Sequence, residues 1–155
     1  MPHIDFSHVK LVSHINILWQ IFQASLGYIM GITMIIVYDS LTGLGKEFSE
    51  ALGYPTQSVD TAPNESCILV TRNTALGKIP DTTIQFLDQY KELVAGVVVN
   101  GNKKFGPFYC KAAEKINKLY DIPVIRKISG SGNQEDINFV KNILKTMDNK
   151  PGKSR

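Results

Sequence analysis

From Met34 onward, short apolar runs alternate with stretches in which apolar positions recur every three or four residues. The runs MIIVY (34–38), CILVT (67–71), VAGVVV (94–99) and IPVIRK (122–127) are rich in β-branched residues and show little polar alternation. Such runs suit strands buried on both faces of a parallel sheet. A more polar segment, TQSV (56–59), predicts a weak edge strand. Helical patterns fill the gaps. Lys46–Leu52 is short, and Pro80–Leu93 has Pro near its first turn with Ile84, Leu87 and Tyr90 or Lys91 at helical spacing. Phe108–Tyr120 carries Ala112, Ala113, Ile116 and Leu119. A last helix runs from Gln134 through Ile137, Val140, Leu144 and Met147, with Asn133 as its N-cap.

Strand–helix alternation predicts an α/β fold, a doubly wound parallel sheet in one domain over 34–148, followed by a polar, fraying tail at 149–155. Ligands of such sheets bind outside the carboxyl ends of the strands, at the topological switch point. The loops that follow the strands, 39–45, 71–79, 100–107 and 128–133, are all rich in Gly, Ser, Thr or Asn. That coincidence points to one site at that edge.

Residues 1–33 follow a different pattern. All three histidines (His3, His8, His14) and the single Trp19 lie there, and Leu11–Met30 is apolar and nearly uncharged. The run is about as long as a membrane span, but His14, Asn16, Gln20 and Gln23 interrupt it, and no basic region or cleavage site of a signal peptide accompanies it. Three readings stay open: a weak anchor, an amphipathic docking helix, or an upstream extension that is not normally translated. The expectation taken here is an N-terminal extension, 1–33, ahead of a domain that opens at Met34, with no membrane association.

Composition narrows the chemistry. The 155 residues, 43% hydrophobic and 20% charged, suit one soluble domain with a real core. Net charge is +3, from 17 Lys and Arg against 14 Asp and Glu, too mild a bias to imply nucleic acid. The extension holds one Lys and one Asp, which cancel, so 34–155 keeps the same net charge. Cys67 and Cys110 have no CxxC spacing and read as reduced, buried residues of a cytoplasmic protein. With no histidine after residue 33, the domain holds no Ser-His-Asp device and no His-based metal site.

The first loop, VYDSLTGLGKEF (37–48), resembles an ATP P-loop at a glance. Aligned on Gly45-Lys46, however, it has Ser40 where the first Gly belongs and Glu47 in place of the magnesium-binding hydroxyl. A dinucleotide G-x-G-x-x-G fails as well, because Phe48 stands at the third Gly. What remains is Ser40, Thr42, Gly43, Leu44 and Gly45. Hydroxyls and successive backbone N–H groups at a helix N-terminus make a compact socket for one phosphate, which needs no Arg or Lys. The bland alternative is a capped strand-to-helix turn with Thr42 as N-cap.

The motifs SLTGLG (40–45), TRNTALGKIP (71–80) and NGNKKFGPFYCKA (100–112) occur in the order seen in the flavodoxin-like NrdI family. These are flavoprotein partners of class Ib ribonucleotide reductase, and the chain resembles them over about 34–147. The family patterns are S-x-T-G-N, a middle loop ending Gly-x-[IV]-Pro, and [AS]-[SG]-G-N-[RK]-x-[WF]-G. FLDQY (86–90) and the Y-x-[IV]-P at 120–123 agree as well. The resemblance implies a flavodoxin-like fold that binds FMN. Ser40, Thr42, Gly43, Leu44 and Gly45 would hold its phosphate. Thr71, Arg72, Asn73, Thr74, Ala75, Leu76 and Gly77 would flank one side of the flavin. Asn100, Gly101, Asn102, Lys103, Lys104, Phe105 and Gly106 would flank the other, with Phe105 either a stacking ring or a loop anchor on the core. Two departures stand out: Leu44 replaces the expected Asn, and Ser129 stands where the pattern before the last helix has Glu.

The chemistry implied belongs to the flavin, with no catalytic side chain and no metal held by this chain. Gly101 would sit at flavin N5, where a glycine peptide can flip. Lys103 and Lys104 would favour an anionic reduced flavin, or else be merely solvated. Reduced by a partner reductase, the flavin would pass electrons to molecular oxygen. The resulting superoxide would reach the dimanganese small subunit of the reductase and generate its tyrosyl radical. Competing readings are an electron-transfer flavodoxin serving another reductase, a family member that has lost FMN, and a phospho-receiver. The receiver is disfavoured because Thr71 or Asn100 stands where its central-strand Asp belongs.

Overall fold

Five strands form one wholly parallel sheet in the order β2-β1-β3-β4-β5, where β1 is Ile35–Tyr38, β2 Thr56–Ser58, β3 Cys67–Arg72, β4 Val94–Gly101 and β5 Val124–Ser129. The computed structural model describes residues 34–148 and the isolated Leu18. The extension expected at 1–33 and the tail at 149–155 otherwise lie outside the described residues. Four helices connect and follow the strands: α1 Leu44–Ala51, α2 Asp81–Tyr90, α3 Ala112–Tyr120 and α4 Gln134–Asp148.

The continuous apolar runs are central because both their faces are covered. On one face, Val37, Leu69, Val97 and Val99 pack with Phe86 and Leu87 of α2 and with Ala112, Ala113 and Ile116 of α3. On the other, Ile36, Ile68, Val70 and Val98 pack with Phe48 of α1, with Leu52, and with Val140 and Leu144 of α4. Burial of each Val, Leu, Ile or Phe side chain among these stabilises the fold by about 1.5–3 kcal/mol. The polar TQS segment forms β2 at one edge, half-buried throughout, as its composition predicts. Cys67 and Cys110 are free and buried.

Asn133 caps α4 reciprocally. Its Oδ1 accepts the Asp136 N–H at 2.8 Å, and Asp136 Oδ2 accepts the Asn133 N–H at 2.9 Å. Several boundaries differ from the sequence pattern, among them the start of α1, at Leu44 and not Lys46. The helix expected from Phe108 begins at Ala112, since a 3-10 segment, Lys103–Phe108, comes first. That segment is broken at Gly106 (φ 54°, ψ −118°) and contains Pro107. The expected helix 80–93 ends at Tyr90 and tightens into a 3-10 turn, Lys91–Leu93, which feeds straight into β4. β5 occupies 124–129 rather than 122–127. Among the described residues no helix is long and apolar enough to cross a membrane.

Candidate functional site

The order 2-1-3-4-5 reverses direction between β1 and β3, so a crevice opens where their carboxyl ends diverge. A cleft of about 340 Å³ lies there, within the range of roughly 300–1,000 Å³ usual for small-molecule sites. Ser40, Leu41, Thr42 and Leu44 line one end; Arg72 and Asn73, Asn100 to Asn102, and Ser129 with Gly130 complete it. All four post-strand loops therefore contribute. A smaller cleft of about 180 Å³ shares Asn73, Gly101 and Asn102 and is walled by Thr74, Leu76, Phe105 and Phe108.

At the first end the chain turns sharply into α1. Gly43 is the N-cap, with φ 92°, and its own N–H donates to Ser40 Oγ at 3.0 Å. The left-handed φ favours glycine here. The first bond internal to α1 runs from the Glu47 N–H to the Gly43 carbonyl at 2.9 Å. The amides of Leu44, Gly45 and Lys46 thus belong to the open first turn, a set of donors with the positive end of the helix dipole behind them. Gly43, not Thr42, takes the capping position, which leaves the exposed Thr42 hydroxyl at the cleft. Leu44 is partly exposed and adds no polar group.

At the other end, two loops are tied together by one side chain. Asn73 donates through Nδ2 to the Phe108 carbonyl, and its Oδ1 accepts the Ala112 N–H at 2.9 Å. Its backbone N–H donates to the Asn100 carbonyl at 3.1 Å. The 74–78 turn closes on itself: the Thr74 N–H and hydroxyl both donate to the Lys78 carbonyl, at 3.0 and 2.8 Å. Leu76 (φ 56°) is held at its tip, 65% exposed. Phe105 is 60% exposed and stands at the smaller cleft instead of packing into the core.

The floor is rigid. Asn100 Nδ2 donates to the Gly130 carbonyl at 3.2 Å. Gly101 ends β4 outside the left-handed region; a Cβ there would lie 3.0 Å from Cys110 Sγ and 3.1 Å from Cys110 N. A side chain there would press on Cys110, which would have to give by a few tenths of an ångström. Burial pushes the Cys110 thiol up, against the weaker opposing effect of Tyr109. Under the β1 end, Asp39 is buried, and its Oδ2 accepts the hydroxyls of Thr82 and, at 2.6 Å, Thr83. Arg72 Nε lies 3.5 Å from Asp39 Oδ1, is itself buried, and has no hydrogen-bond partner.

Of the residues named from the sequence, Ser40, Thr42, Leu44, Arg72, Asn73, Thr74, Leu76, Asn100, Gly101, Asn102 and Phe105 line these clefts. Gly43 and Gly45 shape the first turn from behind, Gly45 being buried 3.7 Å from Ser40 Oγ by its built Cβ. Thr71 does not line them: it is fully buried, its hydroxyl 2.6 Å from that of Thr83. Gly77, Lys103 and Gly106 also stand outside the linings, and the side chain of Ala75 lies outside the described residues. Gly77 backs the loop against Lys111, whose Cβ is 2.5 Å from where a side chain would begin. Lys103 and Lys104 are exposed. Leu41, Phe108, Ser129 and Gly130 were not anticipated. Leu41, Ser129 and Gly130 lie in the polar loops that follow the strands, whereas apolar periodicity places Phe108 in a helix.

Comparison with known proteins agrees with this geometry. The family model described as NrdI flavodoxin-like matches residues 36–142. Protein NrdI of Macrococcus caseolyticus is 37% identical over 107 residues, 67% of this chain and 83% of that protein. Protein NrdI of Bacillus licheniformis is 34% identical over 105 residues, 66% and 80% respectively. Among solved structures, a short-chain flavodoxin associated with a non-canonical PDU bacterial microcompartment aligns with TM-score 0.60 at 13% identity, covering 74% of this chain and 95% of that one. Oxidised flavodoxin 2 of Bacillus cereus aligns with TM-score 0.52 at 15% identity, covering 72% and 94%. The structural likenesses show the flavodoxin-like fold, and the family match over 36–142 together with these relatives shows that the chain belongs to the NrdI flavodoxin-like family.

Proposed function

We propose that the chain binds FMN in this cleft and supplies oxidant to the dimanganese small subunit of a class Ib ribonucleotide reductase. One observation carries the reading: the loops after β1, β3, β4 and β5 meet at the switch point in a cleft with a phosphate-sized donor set at one end. The residues fit the group. The open amides of α1 and the hydroxyls of Ser40 and Thr42 suit a phosphate. Arg72, which lines the same cleft, adds a positive charge. The facing loops at Asn73–Leu76 and Gly101–Phe105 leave a slot for a flat ring system between Leu76 and Phe105.

When bound, the flavin would accept electrons from a partner reductase and pass them to O₂, giving superoxide for the small subunit's dimanganese-tyrosyl radical centre. The chain's own work is to bind and orient. Asn73 holds the two ring-facing loops at a fixed separation, and the Cys110 side chain against Gly101 fixes the floor between them. Lys103 and Lys104 add positive charge to the exposed rim. The test is reconstitution with FMN, reduction, and mixing with manganese-loaded small subunit and O₂, with the tyrosyl radical read by electron paramagnetic resonance. The radical is expected only when the flavin-loaded chain is present. A chain that exchanges electrons with other proteins but yields no radical would be an electron-transfer flavodoxin instead.

A further inference from the structure

The phosphate end of the cleft holds a charged side chain that the loop pattern alone did not require. Along β3, Ile68 and Val70 face the α1 side of the sheet, so Arg72, two residues on, leaves the strand on that same face. Val70 Cγ1 lies 3.8 Å from the built Cβ of Gly45 in the first turn of α1. Arg72 is thus the next residue on that face beyond the α1 turn, and it lines the cleft with Ser40, Leu41, Thr42 and Leu44. Asp39 continues β1 on the opposite face after Val37. The two side chains meet over the sheet's carboxyl edge, Nε 3.5 Å from Oδ1.

Asp39 itself is turned away from any ligand. It is buried, and its other oxygen is occupied by the hydroxyls of Thr82 and Thr83, the latter also 2.6 Å from Thr71 Oγ1. A carboxylate anchored in this way fixes the position of a cation without competing for the cleft. Arg72 Nε is buried on the Asp39 side and makes no hydrogen bond, while the Arg72 side chain as a whole keeps 22% exposure and lines the cleft, so the rest of the side chain is the part open to an acceptor there. With Leu44 apolar, the guanidinium is the one fixed charge among the residues lining this cleft.

We propose that Arg72, positioned by Asp39, pairs with the phosphate of the flavin nucleotide and makes the site select the phosphorylated flavin over riboflavin. The assignment rests on the flavin reading of the cleft. A guanidinium–phosphate contact is charge-assisted and among the stronger hydrogen-bonded pairs. Its loss is expected to weaken binding roughly ten- to a hundredfold.

The experiment compares the dissociation constants of FMN and riboflavin, by flavin fluorescence, for the wild-type chain, Arg72→Gln and Arg72→Lys. Arg72→Gln is expected to weaken FMN roughly ten- to a hundredfold while riboflavin stays within about twofold, which also shows that the variant is folded. Arg72→Lys should recover part of the loss, because it keeps the charge without the fork. FMN affinity unchanged by Arg72→Gln, or both flavins weakened alike, overturns the assignment and leaves the flavin reading standing. A wild-type chain that binds neither flavin overturns both.

Discussion

Replacing Asn73 by Ala is the most informative perturbation of the braced loops. The side chain spans from the end of β3 to the start of α3: Nδ2 reaches the Phe108 carbonyl and Oδ1 receives the Ala112 N–H at 2.9 Å. Ala112 is the first residue of α3, so the second bond acts as a helix cap supplied from another segment. Loss of a cap costs about 0.5–2 kcal/mol, and loss of an ordinary hydrogen bond about 0.5–1.5 kcal/mol. Part of the Phe108 loss is offset by solvation at the surface. Asn73→Ala should therefore destabilise the domain by about 1–3 kcal/mol, seen as a lower urea midpoint at unchanged slope. Because the brace sets the separation of the ring-facing loops, FMN affinity should fall by more than riboflavin selectivity changes. Asn73→Asp sharpens the test. It keeps an acceptor for Ala112 and puts a negative charge at the α3 N-terminus, where it is favoured, while removing the donor to Phe108. Its stability should fall between those of the wild type and Asn73→Ala. If Asn73→Ala left the midpoint within about 0.3 kcal/mol of wild type, the cap and brace would contribute nothing and the reasoning would fail.

Three further outcomes follow from the packing and charges. Gly132→Ala should destabilise by roughly 2–4 kcal/mol in chemical denaturation, since φ is 74° and the new Cβ would lie 2.8 Å from Cδ1 of the buried Phe48 ring. For Asp136, burial alone would raise the pKa, but the Arg126 bond at 2.6 Å and the Asn133 amide outweigh it and hold the group below its usual value. A lowered folded pKa stabilises above the unfolded pKa, and that stability is lost as pH falls through the folded value. Asp136→Asn should accordingly flatten the acid limb of stability against pH below about pH 4, the range where an unfolded Asp titrates. Both thiols should resist a thiol reagent in the native state and react together on unfolding, because Cys67 is buried with its pKa pushed up to about 12 and Cys110 is buried and raised.

The strands and the position of the cleft were legible because continuous β-branched runs and glycine- and hydroxyl-rich loops are local signals. The runs at 67–71 and 94–99 became β3 and β4 with their ends extended, and the weak TQSV run became the edge strand β2. The start of α3 was not legible: apolar periodicity continues through Phe108, whereas Gly106 and Cys110, at φ 54° and 50°, break the helix there. The short α1 also hid its true start, so the capping role fell to Gly43 and not Thr42. Contacts across the sheet carry no sequence signal at all. Asn73 meets Phe108 and Ala112 from 35 and 39 residues away, and Asp39 meets Thr82 and Thr83 from 43 and 44. Thr71 belongs to a loop motif by sequence, yet as part of β3 it points into the core.

The central claim is that the four-loop cleft is a flavin mononucleotide site, and direct titration of the purified chain with FMN tests it. The expected result is saturable one-to-one binding with quenching of flavin fluorescence and a shifted visible absorption spectrum, weakened by Thr42→Ala at the phosphate end. A chain that leaves FMN fluorescence and absorption unchanged at every concentration tried would contradict the account.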